Sequence, residues 1–398
     1  MKPMLKQEII REATRLTQAG QLVEATALLQ RMLRGDNAPD ATSRTTDRIA
    51  LGAPTVIDAK ATTVEDNKQS APAKSARPRT LRGSLNHVGD CAGFGFRGAI
   101  KRAPPSTQDI VPERARFIED NYSNPAGSRS YKLFIPSRYH GQPLPLVIML
   151  HGCTQSPDDF AAGTRMNFMA EEQICFVAYP AQRSDANQAK CWNWFRSSDQ
   201  RRGEGEPSLI AGITRKVMRD YSVDPNRIYV AGLSAGGAAA AVMGATYTDL
   251  YAAVGVHSGL ACGAAIDLPS AFVAMRQGGG SDHTVISGNE EPVPTIIFHG
   301  DRDTTVHPKN GDQILKRAMK TAGPHKRVRR GQIRGGHSYT RTIYDDANGR
   351  GILEHWNIHG AGHAWSGGSP VGSYTDPQGP DATREMLRFF LEHSISRK

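Results

Sequence analysis

The stretch RIYVAGLSAGGAAAAVMGA, Arg227 to Ala245, constrains the fold more than any other part of the chain. An apolar run, Ile228 to Ala231, meets a glycine, then Ser234, then two more glycines, and passes straight into alanines. A buried strand stops abruptly, turns on a serine and starts a helix at once. Gly232–Leu233–Ser234–Ala235–Gly236 is G-x-S-x-G, whose glycines let neighbouring backbone approach without a Cβ in the way. The pentapeptide alone is a weak signal. Its setting, strand before and helix after, makes Ser234 a candidate nucleophile.

The rest of the sequence supplies a sheet for that bend. LPLVIMLHG (Leu144–Gly152) is a nearly continuous apolar run ending in a turn, as expected of a strand covered on both faces. Ile174–Pro180, Tyr251–Gly259 and Val293–Gly300 read the same way, and Tyr131–Pro136 is a further strand. Ser208–Tyr221 has helical periodicity with Ser208 as N-cap, and Ala382–His393 closes as a helix. SYTRTIYDD and ILEHWNIHG alternate more and are expected as antiparallel or edge strands. Strands alternating with helices predict an α/β fold over residues 106–398, a mostly parallel sheet with helices on both faces.

Upstream, two amphipathic patterns in residues 1–34 (Ile9, Ile10, Ala13, Leu16, then Leu22, Ala25, Leu28, Leu29, Leu33) predict a helical hairpin turned at Ala19–Gly20. One such pair cannot bury its own apolar face, so it is expected to dock on the rest of the chain, a second copy or a partner. Residues 35–105, dominated by Ala, Thr, Ser, Pro, Asp and Lys, are expected to be a mostly disordered linker.

A serine hydroxyl needs a base, and the base needs an acid to fix its tautomer. In folds of this kind the chain order is Ser, then Asp or Glu, then His. FHGDRDTTVHP follows a strand and offers Asp301 and Asp303, with Asp303 favoured and Asp301 the alternative. Of the later histidines, His325, His337, His355, His359 and His363, the favoured base is His363, in the glycine-rich NIHGAGHAWSGG, with His359 as runner-up. An oxyanion would take the N–H of Ala235 and that of Cys153 or its neighbour, after the VIML strand. Trp192 and Trp194 of KCWNWF, and Trp365, are candidates for an acyl- or polymer-binding wall, against the alternative of core packing.

Composition excludes several function classes. The net charge is +10, with cation clusters at Lys74–Arg82 and His325–Arg334, but neither carries aromatic interleaving or a nucleic-acid motif, so no nucleic-acid partner is expected. No run of about 18 apolar residues exists, so no transmembrane segment is expected. The charged N-terminus shows no secretory-signal pattern. Five irregularly spaced cysteines give no disulfide framework and no metal site, although one bridge within the catalytic part stays open. No metal or organic cofactor is expected.

The segments LVIMLHGCTQSPDDFAAGTRMNFMAEE, AYPAQ, CWNWF, NRIYVAGLSAGGAAAAVMGATYTDLYAAVGVHSG, IIFHGDRDTTV and GAGHAWSGG resemble, in order, the esterase family of short-chain polyhydroxyalkanoate (polyhydroxybutyrate) depolymerases. The resemblance implies an α/β-hydrolase fold and a Ser-His-Asp serine esterase acting on 3-hydroxyalkanoate polymer or oligomers. It places the nucleophile on Ser234, the acid on Asp303 of HGxxD and the base on His363 of GHAW. Members of that family are usually secreted, whereas no leader is visible here, so the extracellular region and the cytoplasm both stay open. The polymer-binding module of many relatives is not expected, which shifts the substrate towards amorphous polymer, oligomers or small esters. Feruloyl or acetylxylan esterase activity is the alternative within the fold. A non-catalytic granule- or partner-binding protein is the alternative outside it, and the intact serine, aspartate and histidine argue against that.

Overall fold

The computed structural model describes residues 104–279, 293–319 and 325–395. The hairpin expected in residues 1–34 and nearly all of the expected linker 35–105 lie outside the described residues. A one-turn helix, α1 (Thr107–Ile110), leads into a hairpin of β1 (Arg116–Asn124) and β2 (Gly127–Ile135). Next come β3 (Leu144–Leu150), α2 (Pro157–Thr164), α3 (Met166–Gln173) and β4 (Phe176–Pro180). A long connection reaches α4 (Gly205–Asp220), β5 (Val223–Leu233), α5 (Ala235–Thr246) and β6 (Ala253–His257). Then follow α6 (Leu268–Gln277), β7 (Thr295–Gly300) and α7 (Lys309–Ala318). A meander of β8 (Lys326–Gln332), β9 (Ser338–Asp345) and β10 (Gly351–His359) comes next. Short β11 (Trp365–Ser366) pairs with β12 (Thr375–Asp376), and α8 (Ala382–Leu391) closes the fold.

Ten strands make one sheet in the order β1-β2-β4-β3-β5-β6-β7-β10-β9-β8. From β4 to β10 neighbours run parallel, and the flanking β1–β2 and β9–β8 are antiparallel. All seven residues of β3 are buried because helices cover both sheet faces. Leu146, Ile148 and Leu150 point into the layer of α4 and α5, while Val147 and Met149 point into that of α2, α3 and α8. This period of two, with apolar residues at every position, explains why the strand reads as a continuous apolar run. Each such side chain contributes about 1.5–3 kcal/mol by leaving water.

The structure corrects some expectations. Helix α4 begins at Gly205 with Glu204 at the N-cap, so Ser208 lies inside it and its hydroxyl donates to the Gly205 carbonyl. The Asp199 carboxylate, from the preceding loop, takes the Glu206 N–H and does the capping. β9 is antiparallel as expected, but ILEHWNIHG is an interior strand, parallel to β7 on one side and antiparallel to β9 on the other. Strands β1 and β8 were not foreseen. Both are flanking strands, β1 partly and β8 largely exposed, with many charged or polar residues and no long apolar run.

Two buried histidines make stability depend on pH. Burial pushes the pKa of His151 down to about 4; burial, then the neighbouring His299 and His363, push that of His257 down to about 3. An unfolded chain takes up both protons near the ordinary histidine value of about 6.5. The native state binds them only at lower pH, so stability is complete above that value and is lost as pH falls below it. The expected slope is up to about 3 kcal/mol per pH unit for the pair between about pH 6 and 4. Urea midpoints at neutral and mildly acidic pH measure it, and equal midpoints would contradict the assignment.

Candidate active site

β5 delivers Ser234 to a sharp bend with φ 57° and ψ −119°, a region that side-chain-bearing residues rarely adopt. The bend is pinned on both sides: Ser234 N–H donates to the His257 carbonyl and Ser234 C=O accepts from Ala238 N–H, each at 2.9 Å. The two motif glycines are required by packing. A Cβ on Gly232 would fall within the Gly236 carbonyl, and one on Gly236 within the Leu150 carbonyl. The backbones of β3, β5 and α5 therefore close around the serine, and its Oγ makes no hydrogen bond among the described residues.

Asp303 follows β7 and His363 follows β10, so both loops leave the same end of the parallel sheet as Ser234 does. His363 Nδ1 donates to Asp303 Oδ2 at 2.7 Å, which leaves Nε2 as the ring's open lone pair. The other carboxylate oxygen, Oδ1, accepts from Thr305 N–H at 2.9 Å and Val306 N–H at 2.8 Å. His299 Nε2 lies 3.5 Å from Oδ2. Burial presses the Asp303 carboxyl upward, but the contacts from His299 and His363 outweigh it and hold the group well below the usual carboxylate range. It is a permanent anion behind the imidazole. The alternative residues pair with each other: His359 Nδ1 meets Asp301 Oδ2 at 3.0 Å, and His359 Nε2 meets Thr340 Oγ1 at 2.9 Å. Both ring nitrogens of His359 are thus engaged, and the pair is more than one-third exposed.

Ser234 lies on a narrow apolar recess shared with Cys153, Trp194, Ala235, Phe272 and Met275 among others. The N–H groups of Cys153 and Ala235 donate to no carbonyl among the described residues, so both remain available to an oxyanion. Of the three expected wall tryptophans, only Trp194 reaches the recess. Trp192 and Trp365 are core residues, and this corrects the expectation. Trp192 is fully buried with Nε1 donating to the His151 carbonyl. Trp365 donates to Thr383 Oγ1, stacks on His257 and meets Phe160 edge-on. Cys153 is also covalently tied: it forms a disulfide with Cys191, across a sequence separation of 38.

One buried neighbour of the site escaped the sequence. Glu206, in the first turn of α4, is buried behind the Cys191–Trp194 loop. Its carboxylate accepts from Asn193 N–H at 2.7 Å, Asn193 Nδ2 at 2.8 Å and Gln182 Nε2, and pairs with buried Arg129 at 3.3 Å. Gln182 Nε2 also donates to the Cys191 carbonyl. Burial, then the nearby Asp199 carboxylate, push the Glu206 pKa upward. Glu206→Ala strands the Arg129 charge and is expected to cost about 3–5 kcal/mol. Chemical denaturation checks it, and a loss below about 1 kcal/mol would show that water replaces the carboxylate.

A nucleophile-type bend after β5, with an aspartate–histidine pair supplied by the loops after β7 and β10, defines an α/β-hydrolase. The acetyl xylan esterase from Aspergillus awamori shares this fold, with a TM-score of 0.50 and 19% identity, covering 70% of this chain and 99% of that one. The chain belongs to the esterase PHB depolymerase family, whose family model matches residues 129–336. It is 34% identical over 260 residues to poly(3-hydroxyalkanoate) depolymerase C of Paucimonas lemoignei, covering 63% of this chain and 60% of that one. It is 27% identical over 241 residues to feruloyl esterase B of Neurospora crassa, covering 57% and 80%. The match thus spans less than two thirds of the depolymerase's length.

Proposed function

We propose that the protein is a serine ester hydrolase acting on short-chain polyhydroxyalkanoate or its oligomers. The reading is carried by one observation: Ser234 stands strained and without a hydrogen bond on an apolar recess, and Val306, which lines that recess, holds the Asp303 carboxylate paired with His363. In the reaction, His363 Nε2 takes the Ser234 proton as Oγ attacks the ester carbonyl carbon. The tetrahedral oxyanion sits on the N–H groups of Cys153 and Ala235. His363 then gives its proton to the departing alcohol, leaving an acyl-serine that water cleaves by the same steps in reverse. The recess suits an uncharged acyl group, since no charged side chain lines it.

A second reading, a feruloyl-type esterase, draws on the edge-to-face pair Trp194–Phe195, which lines the recess and could flank an aromatic acyl group. Hydroxybutyrate oligomers, feruloyl esters and acetylated xylan, assayed side by side, separate the two. Preference for the oligomers supports the first reading, and preference for feruloyl esters replaces it. Failure of a fluorophosphonate probe to label Ser234 would overturn both.

A further inference from the structure

One stretch carries a net charge nearly equal to that of the whole chain. Residues 313–344 hold nine of its 49 Lys and Arg and none of its 39 Asp and Glu, so the remaining 40 cations nearly balance the 39 acids elsewhere. The centre of this stretch is β8, KRVRRGQ, the last strand on one side of the sheet. Its first five residues are all exposed. One edge of β8 pairs with β9, and the other pairs with no strand among the described residues.

Local acids do not neutralise this strand. Arg327 pairs with Asp345 at 2.6 Å, and Lys326 lies over the Tyr344 ring. Arg329, Arg330 and the following Arg334 have no acidic partner among the described residues. Arg329 also stands directly opposite Arg341 across the β8–β9 ladder. Like charges in that position work against the hairpin, and Arg341 is held by Glu354 at 2.7 Å. The strand thus keeps a cation where hairpin stability alone would select another residue.

Cations on an open edge ordinarily discourage strand pairing. They do so by repelling like strands, so a second copy of β8 is refused. An acidic strand meets no such barrier. It would find unpaired backbone donors and acceptors, with Arg327 and Arg329 flanking on one sheet face and Lys326 and Arg330 on the other. The strand itself exposes no aromatic platform on which bases could stack, which disfavours single-stranded nucleic acid. We propose that β8 is a docking edge for an extended acidic peptide segment of a partner protein, which adds to the sheet as an eleventh strand.

The test uses the full chain and a short fluorescein-labelled peptide of alternating Glu and Thr, read by anisotropy at low and moderate salt. Saturable binding is expected, weakened about tenfold or more by the double substitution Arg329→Glu/Arg330→Glu and by added salt. The same peptide N-methylated at alternate backbone nitrogens keeps its charge but cannot complete the ladder, and it should bind at least about tenfold more weakly. Thermal melts of the variant confirm its fold. Equal binding of the N-methylated peptide would reduce the effect to unspecific attraction of polyanions and overturn the proposal. So would unchanged binding by the charge-reversed variant, or phosphatidylserine vesicles binding through these arginines while the peptide does not.

Discussion

Replacing Ser234 by alanine is expected to lower kcat on a short hydroxyacyl ester by about 10⁵-fold, with the folded state intact. The expectation rests on the absence of a substitute. The recess otherwise offers hydrocarbon, an indole, a thioether, a disulfide and backbone, none of which attacks an ester. Alanine inherits the φ of 57° and so the strain of the bend. Glycine adopts that conformation freely, so Ser234→Gly should be equally inactive yet more stable by about 1 kcal/mol. A variant that gains stability while losing all turnover separates lost chemistry from lost fold. Substantial hydrolysis by either variant would remove Ser234 from the mechanism.

The second large effect distinguishes two neighbouring aspartates. Asp303→Asn should lower kcat about ten-thousand-fold, because an amide can present an N–H to His363 Nδ1 and favour the wrong tautomer. Asp301→Asn should change kcat less than about threefold, because its partner His359 spends its other nitrogen on Thr340. Both variants are assayed on one ester at saturating concentration. Comparable losses would mean that the His359 pair also serves the reaction.

What could be read from sequence follows how far each signal spreads along the chain. The bend at Ser234 is written in consecutive residues, strand, glycine, serine, glycine, helix, so it was fully legible. Asp303 and His363 each follow an apolar strand, and their meeting needs only that β7 and β10 be neighbours. Choosing them over Asp301 and His359 from the residues alone was harder, because both pairs leave the same two strands. The Glu206 cluster left no trace, since Arg129, Gln182, Asn193 and Glu206 come from four separate segments and resemble ordinary surface residues until folded. Trp192 and Trp365 misled because an aromatic near a motif looks the same whether it lines a cavity or fills the core, and only packing decides. Strand β8 was read as a cation cluster because an exposed edge needs no apolar alternation.

Reducing the Cys153–Cys191 bond would give this protein a second chemical form of almost the same mass. Closing a loop of this length removes about 4 kcal/mol of unfolded-chain freedom, and the bond ends on the residue whose N–H faces the proposed oxyanion. Burial lifts the other two described thiols, Cys175 and Cys262, to about 12 and 11, so neither competes readily in exchange. Specific activity is therefore expected to vary with a sample's redox history. Batches prepared with and without a thiol reductant are comparable only after their free thiols have been counted.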